Sequence, residues 1–315
     1  MEITLRQAAE LVEKSNTLVL TAHVNPDGDS LGSLLGLYLA LRRKGKTVTI
    51  LLDDVVPPAF RFLPCCEVIR RPDETNQLTP NLLIVLDASD IERIGKVRQS
   101  VKAPILNIDH HVSNTRFADY SYVDPEVSAT GEIIAMLLKM LSCPVDKDIG
   151  NCLYTAIATD CGFFQYANTS AQTLRHAADL VEAGAQPQKI SEALEKRPLS
   201  GLVTLAKVLE TIELHENGKI ATMVIPENLI TDPEESTEGF VNYARSVEGV
   251  EVAILLKAIG PDTVRVSLRS HRADVSRVAL AFGGGGHIRA AGCTIHEELE
   301  KAKDMAVTMA AAQIR

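Results

Sequence analysis

Thr17-Leu18-Val19-Leu20-Thr21-Ala22-His23-Val24-Asn25-Pro26-Asp27-Gly28-Asp29-Ser30 is the stretch on which the fold turns. Its first five residues form a short apolar run bounded by threonines, the composition of a buried strand. Leu31, Leu34, Leu35, Tyr38 and Leu39 then recur at helical spacing, with Asp29 or Ser30 as a natural N-cap. The alternation continues downstream. Thr47–Leu52, Leu82–Leu86 and Ile105–Ile108 read as further strands, and Thr130–Leu141, Asp148–Thr159 and Ser170–Ala183 as helices. Short strands interleaved with helices predict an open parallel α/β sheet.

In such sheets ligands bind outside the carboxyl ends of the strands. His23, Asp27 and Asp29 follow the first strand, Asp87 follows Leu82–Leu86, and Asp109-His110-His111 follows Ile105–Ile108. Three loops are therefore expected to converge on one crevice, with Asp160 joining from the end of a helical pattern. Singly, an Asp beside Gly or Pro is most often a turn former or a cap. Jointly the residues read differently. Two carboxylates about 4 Å apart repel by roughly 4 kcal/mol at an effective dielectric near 20, and only cations could offset several of them. Oxygen donors mixed with imidazole suit Mn²⁺, Mg²⁺ or Co²⁺ better than thiolate-bound zinc. A pair of such ions about 3.5–4 Å apart is suited to phosphoryl chemistry.

The second half changes character. Residues 185–199 read as a connector punctuated by Gly184, Pro187 and Pro198, with a junction helix near Gly201–Leu214. Strand Ile220–Ile225, helix Glu238–Val247, strands Val250–Ala258 and Val264–Arg269, helix Val275–Phe282 and a terminal helix after His296 follow. Residues 1–185 are expected to form one domain and 215–315 a second, smaller α/β domain, with 186–214 linking them and the active site in the cleft between them. Gly283-Gly284-Gly285-Gly286-His287 could be a plain flexible turn. Its backbone could also approach a phosphate closely, since no Cβ interferes, and Arg269 is the natural cationic partner.

Composition narrows the function classes. The chain has 315 residues, room for two domains, and carries 41 acidic against 32 basic residues, a formal net charge of -9. Proteins that track long nucleic acid usually show a basic face, and aromatic residues for base stacking are sparse at 4%. A short phosphorylated substrate is expected instead. The longest apolar helical stretch, Leu31–Leu41, falls far short of a membrane span, and the N-terminus lacks the features of a signal peptide. The six cysteines form no Cys-x-x-Cys pair. A cytoplasmic protein with free thiols and no membrane attachment is expected.

His23-x-Asn-Pro-Asp27-Gly-Asp29-Ser30, Asp87-Ala-Ser-Asp90, Asp109-His110-His111 and Thr159-Asp160-x-Gly162 resemble the four motifs of the DHH phosphoesterase superfamily. Ser267-x-Arg269-Ser270 and Gly-Gly-Gly-Gly-His287-x-x-Ala-Ala-Gly292 resemble its DHH-associated domain. The resemblance covers essentially the whole chain. It is nearest to the NrnA branch, oligoribonucleases (nanoRNases) that also dephosphorylate 3′-phosphoadenosine 5′-phosphate, pAp. It implies one metal held by His23, Asp27 and Asp87, and another held by Asp29, Asp87, His110 and Asp160, with Asp87 bridging. Mn²⁺ is the first choice of ion. His111 would face the scissile phosphate and Asp109 would orient the histidine beside it. Arg269, Ser270, Gly285, Gly286, His287 and Asn114 would bind substrate, with Ser128 and Thr130 weaker candidates. Relatives tend to carry Thr and Arg where Cys161 and Gln165 stand, which bears on the balance between RNA and pAp.

The expected activity is hydrolysis of very short oligoribonucleotides to mononucleotides, together with removal of the 3′-phosphate of pAp. A cyclic-dinucleotide or pApA hydrolase of the same superfamily and a non-catalytic nucleotide sensor are the alternatives. A homodimer is left open.

Overall fold

Leu82-Leu83-Ile84-Val85-Leu86 is apolar at every position because both faces of its strand are buried. In the computed structural model of the chain, which describes residues 1–73, 77–230, 237 and 239–314, this strand is the centre of a five-stranded sheet. The chain divides into two units, Met1–Lys196 and Arg197–Arg315.

The first unit runs α1 (Leu5–Lys14), β1 (Thr17–Thr21), α2 (Gly28–Arg43), β2 (Thr47–Ile50), β3 (Leu82–Leu86), α3 (Val97–Ser100), β4 (Ile105–Asp109), β5 (Tyr120–Val123), α4 (Thr130–Met140), α5 (Lys147–Asp160), α6 (Ala171–Glu182) and α7 (Pro187–Glu195). Its strands are all parallel, in the order β2-β1-β3-β4-β5. The expected parallel α/β sheet is present. Chain direction across the sheet reverses between β1 and β3, and the crevice at such a switch point is where open α/β sheets bind ligands.

Side-chain alternation sorts the strands between two cores. Leu18, Leu20, Leu82, Ile84, Leu86, Leu106 and Ile108 enter the larger core with α1, α2, α4 and α5. Val19, Leu83 and Val85 face the other way, against Ile94, Val97 and Val101. Helix α2 lies unusually close to α5. A Cβ at Gly28 would fall 2.3 Å from Thr159 Oγ1, at Gly32 2.3 Å from the Cys152 carbonyl oxygen, and at Gly36 2.8 Å from Leu153 Cδ2. These glycines recur every fourth residue, so they form one row along α2. The close approach matters for function because Asp29 starts α2 and Asp160 ends α5.

Several boundaries differ from the sequence expectation. The N-cap of α2 is Asp27, whose carboxylate accepts the Ser30 N–H at 3.0 Å while Ser30 Oγ accepts the Asp27 N–H at 2.9 Å. The cap thus lies two residues before Asp29. The expected connector contains α7, which has Pro187 at its first turn; proline there lacks only an N–H that would be unpaired anyway. Helix α1 went unread, although Thr4 and Gln7 form a capping box.

The second unit runs α8 (Leu199–Leu209), β6 (Glu213–His215), β7 (Ile220–Ile225), α9 (Phe240–Arg245), β8 (Val252–Gly260), β9 (Thr263–Ser270), α10 (Val275–Ala281), β10 (Gly285–His287), β11 (Ala290–Ile295) and α11 (Leu299–Ala311). The junction helix ends at Leu209, and residues 213–215 pair with β7 instead of extending it. The expected helix start at Glu238 lies outside the described residues. The six strands are ordered β10-β11-β9-β8-β7-β6, with only β7 and β8 parallel. Ile220, Val252, Ile254 and Leu268 pack on Ala302, Ala306 and Ala310 of α11. Met223, Ala253 and Leu255 pack on Leu205 and Val208 of α8 and Phe240 of α9. Among the described residues no helix is long and apolar enough to cross a membrane.

Candidate metal centre

His23 follows β1, Asp27 and Asp29 begin α2, Asp87 follows β3, Asp109 ends β4, and Asp160 ends α5. The first unit brings them together. His23, Asp27 and Asp87 offer donor atoms that all lie within 4.8 Å of one another. Asp29, Asp87 and His110 do the same, as do Asp87, Asp109 and His111. Asp87 belongs to every one of these groups. It is buried and its backbone is left-handed, with φ 57°. That conformation is costly for most side chains but open to Asp, and a backbone outlier at a cluster of polar side chains is a mark of a functional site.

The distances describe two linked groups. His23 Nε2 lies 3.6 Å from Asp27 Oδ2 and 3.3 Å from Asp87 Oδ2. His110 Nε2 lies 3.6 Å from Asp29 Oδ2, 3.6 Å from Asp87 Oδ1 and 3.5 Å from Asp160 Oδ2. The other ring nitrogen of each histidine faces a backbone carbonyl, His23 Nδ1 that of Val24 at 2.8 Å and His110 Nδ1 that of Val127 at 3.4 Å. With Nδ1 facing a backbone carbonyl, each Nε2 points into the carboxylate cluster, the orientation that metal-ligating histidines adopt.

The surrounding shell orients the acids. Asp29 accepts the Thr130 N–H at 2.6 Å and the Gly131 N–H at 2.8 Å, so a carboxylate of α2 caps the start of α4. Thr130 Oγ1 donates to Asp87 Oδ1 at 3.1 Å. Asp109 Oδ1 meets His111 Nδ1 at 2.7 Å, and Asn114 donates to Asp109 Oδ2 at 2.5 Å. Asn114 also donates to Asn107 Oδ1 at 2.8 Å, and Asn107 in turn donates to the Val85 and Ala88 carbonyls. The amide of Asn114, expected to touch substrate, is thus engaged beneath Asp109.

Electrostatics show what so many buried acids require. Burial and the charges of Asp87, Asp160 and Asp27 push the Asp29 carboxyl well above the usual range, against the Gly131 N–H. Burial likewise raises Asp160, to about 6, although His110 opposes it. Burial pulls His23 down, but Asp27 and Asp87 outweigh it and raise the imidazole to about 10. His111 is raised to about 9, chiefly by Asp109 against the effect of burial. Asp27 and Asp109 are held low by His23 and His111 despite their burial. Protons therefore balance the charge of this cluster, and divalent cations compete for the same lone pairs. Asp160 Oδ2 is buried with no hydrogen-bond partner among the described residues. A buried carboxylate oxygen without a donor is costly, and a cation is the partner that fits oxygen and imidazole donors together.

The second unit supplies a different surface. Ala290 pairs with His287 on one side and with Arg269 on the other. Directly paired residues share a sheet face, so His287 and Arg269 lie in one row, two strands apart. Arg269 Nη1 donates to the Leu268 carbonyl at 3.0 Å, while its buried Nε has no hydrogen-bond partner among the described residues. Ser270 is buried and its hydroxyl donates to the Ala273 carbonyl at 2.6 Å. Gly285 and Gly286 belong to β10, not to a free loop. A Cβ at Gly286 would lie 2.5 Å from the Ala290 carbonyl oxygen, so the close approach Gly286 permits is to β11, whereas a Cβ at Gly285 would meet nothing within 4 Å.

Some of the shell escaped the sequence reading. Glu132, Asn107 and the amides of Thr130 and Gly131 were not singled out for it. A buried Asn within an apolar strand and a Glu within the apolar helix 130–141 were the available signals.

Residues 17–157 match the DHH family N-terminal domain and residues 217–314 the DHHA1 domain. The chain is 37% identical over 296 residues to the bifunctional oligoribonuclease and PAP phosphatase NrnA of Thermus thermophilus, covering 92% of this chain and 88% of that protein. An exopolyphosphatase-related protein from Bacteroides fragilis superposes with a TM-score of 0.87 at 24% identity, covering 98% of this chain and 95% of the other. RecJ from Thermus thermophilus in complex with Mn²⁺ shares the fold at a TM-score of 0.51 and 13% identity, covering 98% of this chain and 55% of RecJ. Motifs, fold and whole-length similarity agree: this chain, with a DHH domain followed by a DHHA1 domain, belongs to the DHH family.

Proposed function

We propose that this chain is a divalent-metal-dependent phosphoesterase that hydrolyses very short oligoribonucleotides to mononucleotides and removes the 3′-phosphate of pAp. The observation that carries the reading is the sharing of Asp87 between two ligand groups, one with His23 and Asp27, the other with Asp29 and His110. His23, Asp27 and Asp87 would hold one ion; Asp29, Asp87, His110 and Asp160 would hold the other. Mn²⁺ is the ion of choice, supported by the donor set and by the ion bound in RecJ. Such ions offset the charge of a phosphoryl group and acidify water at neutral pH.

The chain's own residues do the rest. Asp109 fixes the His111 ring through Nδ1, and His111 would face the scissile phosphate or its leaving oxygen. Arg269 and His287 hold the terminal phosphate or nucleotide. The substrate class is taken from the activity named for the Thermus relative. Small size is supported by the net charge of -9, which offers no basic track for a long strand. Free cysteines fit a reducing, cytoplasmic setting.

The test is a turnover comparison on pAp, pApA, a dinucleotide, a long single-stranded RNA and pyrophosphate, with and without chelation. Mn²⁺-dependent release of mononucleotide from dinucleotide and of phosphate from pAp is expected. Equal turnover of the long strand, or full activity of the metal-free protein, would defeat the reading.

A further inference from the structure

Helix α4 begins at the metal-ligand cluster, yet its N-cap residue, Ala129, has no side chain to cap it. The cap is Asp29, bound to the Thr130 and Gly131 amides, while the Thr130 hydroxyl holds Asp87. One helical turn therefore orients two carboxylates of the cluster. Glu132 is tied to Ser128, which leads into that turn.

The Glu132 side chain is 1% exposed and folds back past the helix start. Its Oε1 accepts the Ser128 N–H at 2.9 Å, the Ser128 hydroxyl at 2.6 Å and the Thr173 hydroxyl at 2.9 Å. Its Oε2 meets His176 Nδ1 at 2.7 Å, and His176 Nε2 lies 2.9 Å from Gln172 Nε2. Ser128, Thr173 and His176 are all buried. The Ser128 carbonyl accepts from Asn168 Nδ2 at 3.3 Å, and the same Nδ2 lies 3.3 Å from the Asp160 carbonyl. The network thus reaches the backbone of a third carboxylate of the cluster.

Joining α4 to α6 would need only apolar side chains, which often match or exceed a buried polar contact in stability. A buried carboxylate with four donors instead fixes geometry, because each bond is directional. The contact also sits next to the turn whose Thr130 bonds both Asp29 and Asp87. We propose that Glu132, braced by His176 and Thr173, is a positioning residue for the metal centre: it locks the Ser128–Gly131 turn so that Asp29 and Asp87 are held in ligating orientation. The proposal rests on the metal-site reading given above.

The test is Mn²⁺ titration of metal-stripped protein by calorimetry, with thermal unfolding measured on the same samples. Glu132→Ala is expected to weaken Mn²⁺ binding about 10- to 100-fold, the usual effect of removing an outer-shell partner. The KM for dinucleotide at saturating Mn²⁺ should stay near wild type. Glu132→Gln keeps the acceptor for Ser128 and Thr173 and should recover most of the affinity. Thr173→Val removes one bond to Glu132 and serves if Glu132→Ala does not fold; about 2- to 10-fold weaker binding is expected. Wild-type Mn²⁺ affinity in folded Glu132→Ala or in Thr173→Val, even with a lower melting temperature, overturns the proposal. A wild-type protein that binds no Mn²⁺ would defeat the metal-site reading itself, and this proposal with it.

Discussion

Asp109 Oδ1 lies 2.7 Å from His111 Nδ1, and both side chains are buried. The carboxylate fixes the ring, so the proposed facing of His111 toward the scissile phosphate depends on it. Asp109→Asn should lower kcat on dinucleotide about 10- to 100-fold at saturating Mn²⁺, with Mn²⁺ affinity changed much less. Steady-state kinetics paired with metal titration separates the two effects.

Asp160 allows a pH prediction. Its carboxyl is raised from 3.8 to about 6, so the folded metal-free chain holds this proton more tightly than the unfolded chain does. The associated stability is fully present below pH about 4 and is lost as pH climbs through about 6. Asp160→Asn removes the titration, and the metal-free variant should melt several degrees above metal-free wild type at pH 8. Saturating Mn²⁺ should stabilise the wild type much more than the variant. Thermal melts at pH 5 and 8, with chelator and with Mn²⁺, check both statements.

The division of labour between the two units can be tested by choice of substrate. Asp160→Ala should abolish turnover of every substrate, including a small activated phosphodiester. Arg269→Ala and His287→Ala should spare the small ester but reduce kcat/KM on dinucleotide about 10- to 150-fold, the value of one charge-assisted contact. Loss of the small-ester activity in Arg269→Ala to the level of Asp160→Ala would show that Arg269 serves the chemistry itself.

Gly32 and Gly201 should respond oppositely to alanine. A Cβ at Gly32 would sit 2.3 Å from the Cys152 carbonyl oxygen, whereas at Gly201 its nearest neighbour is Pro198 Cδ at 3.6 Å. Gly32→Ala should destabilise by about 1–3 kcal/mol through overpacking. Gly201→Ala, on a helix with room for the methyl, should be neutral or stabilise by up to about 1 kcal/mol. Urea unfolding of the two variants measures the contrast. Forcing α2 from α5 should also weaken Mn²⁺ binding in Gly32→Ala, because Asp29 and Asp160 ride on these helices.

The parallel sheet was legible because Leu82–Leu86 and Thr17–Thr21 are short apolar runs between helical patterns, and that alternation is local in sequence. The cluster His23, Asp27, Asp29, Asp87, Asp109, His110 and His111 was legible for the same reason: each lies at the carboxyl end of a strand or the start of a helix. The signal for helix α1 is equally local, a capping box of Thr4 and Gln7, but its apolar positions are short and interrupted by charge. Residues 283–287 were harder. A glycine run specifies no conformation by itself, and β10 exists only because β11 lies beside it.

By itself, then, the sequence determined the α/β class, the order of the main elements and the set of acids and imidazoles that could meet. Those properties follow from periodicity and from the ends of strands, within a few residues of each other. Only the tertiary structure decided that Asp29 caps α4, that Asn114 lies beneath Asp109, and that Glu132 is tied to Ser128, Thr173 and His176. Asp29 is separated from Thr130 by 101 residues and Glu132 from His176 by 44. No pattern in a single chain encodes such pairs. They arise when helices α2, α4, α5 and α6 pack, and the row Gly28, Gly32 and Gly36 sets how closely α2 and α5 can approach.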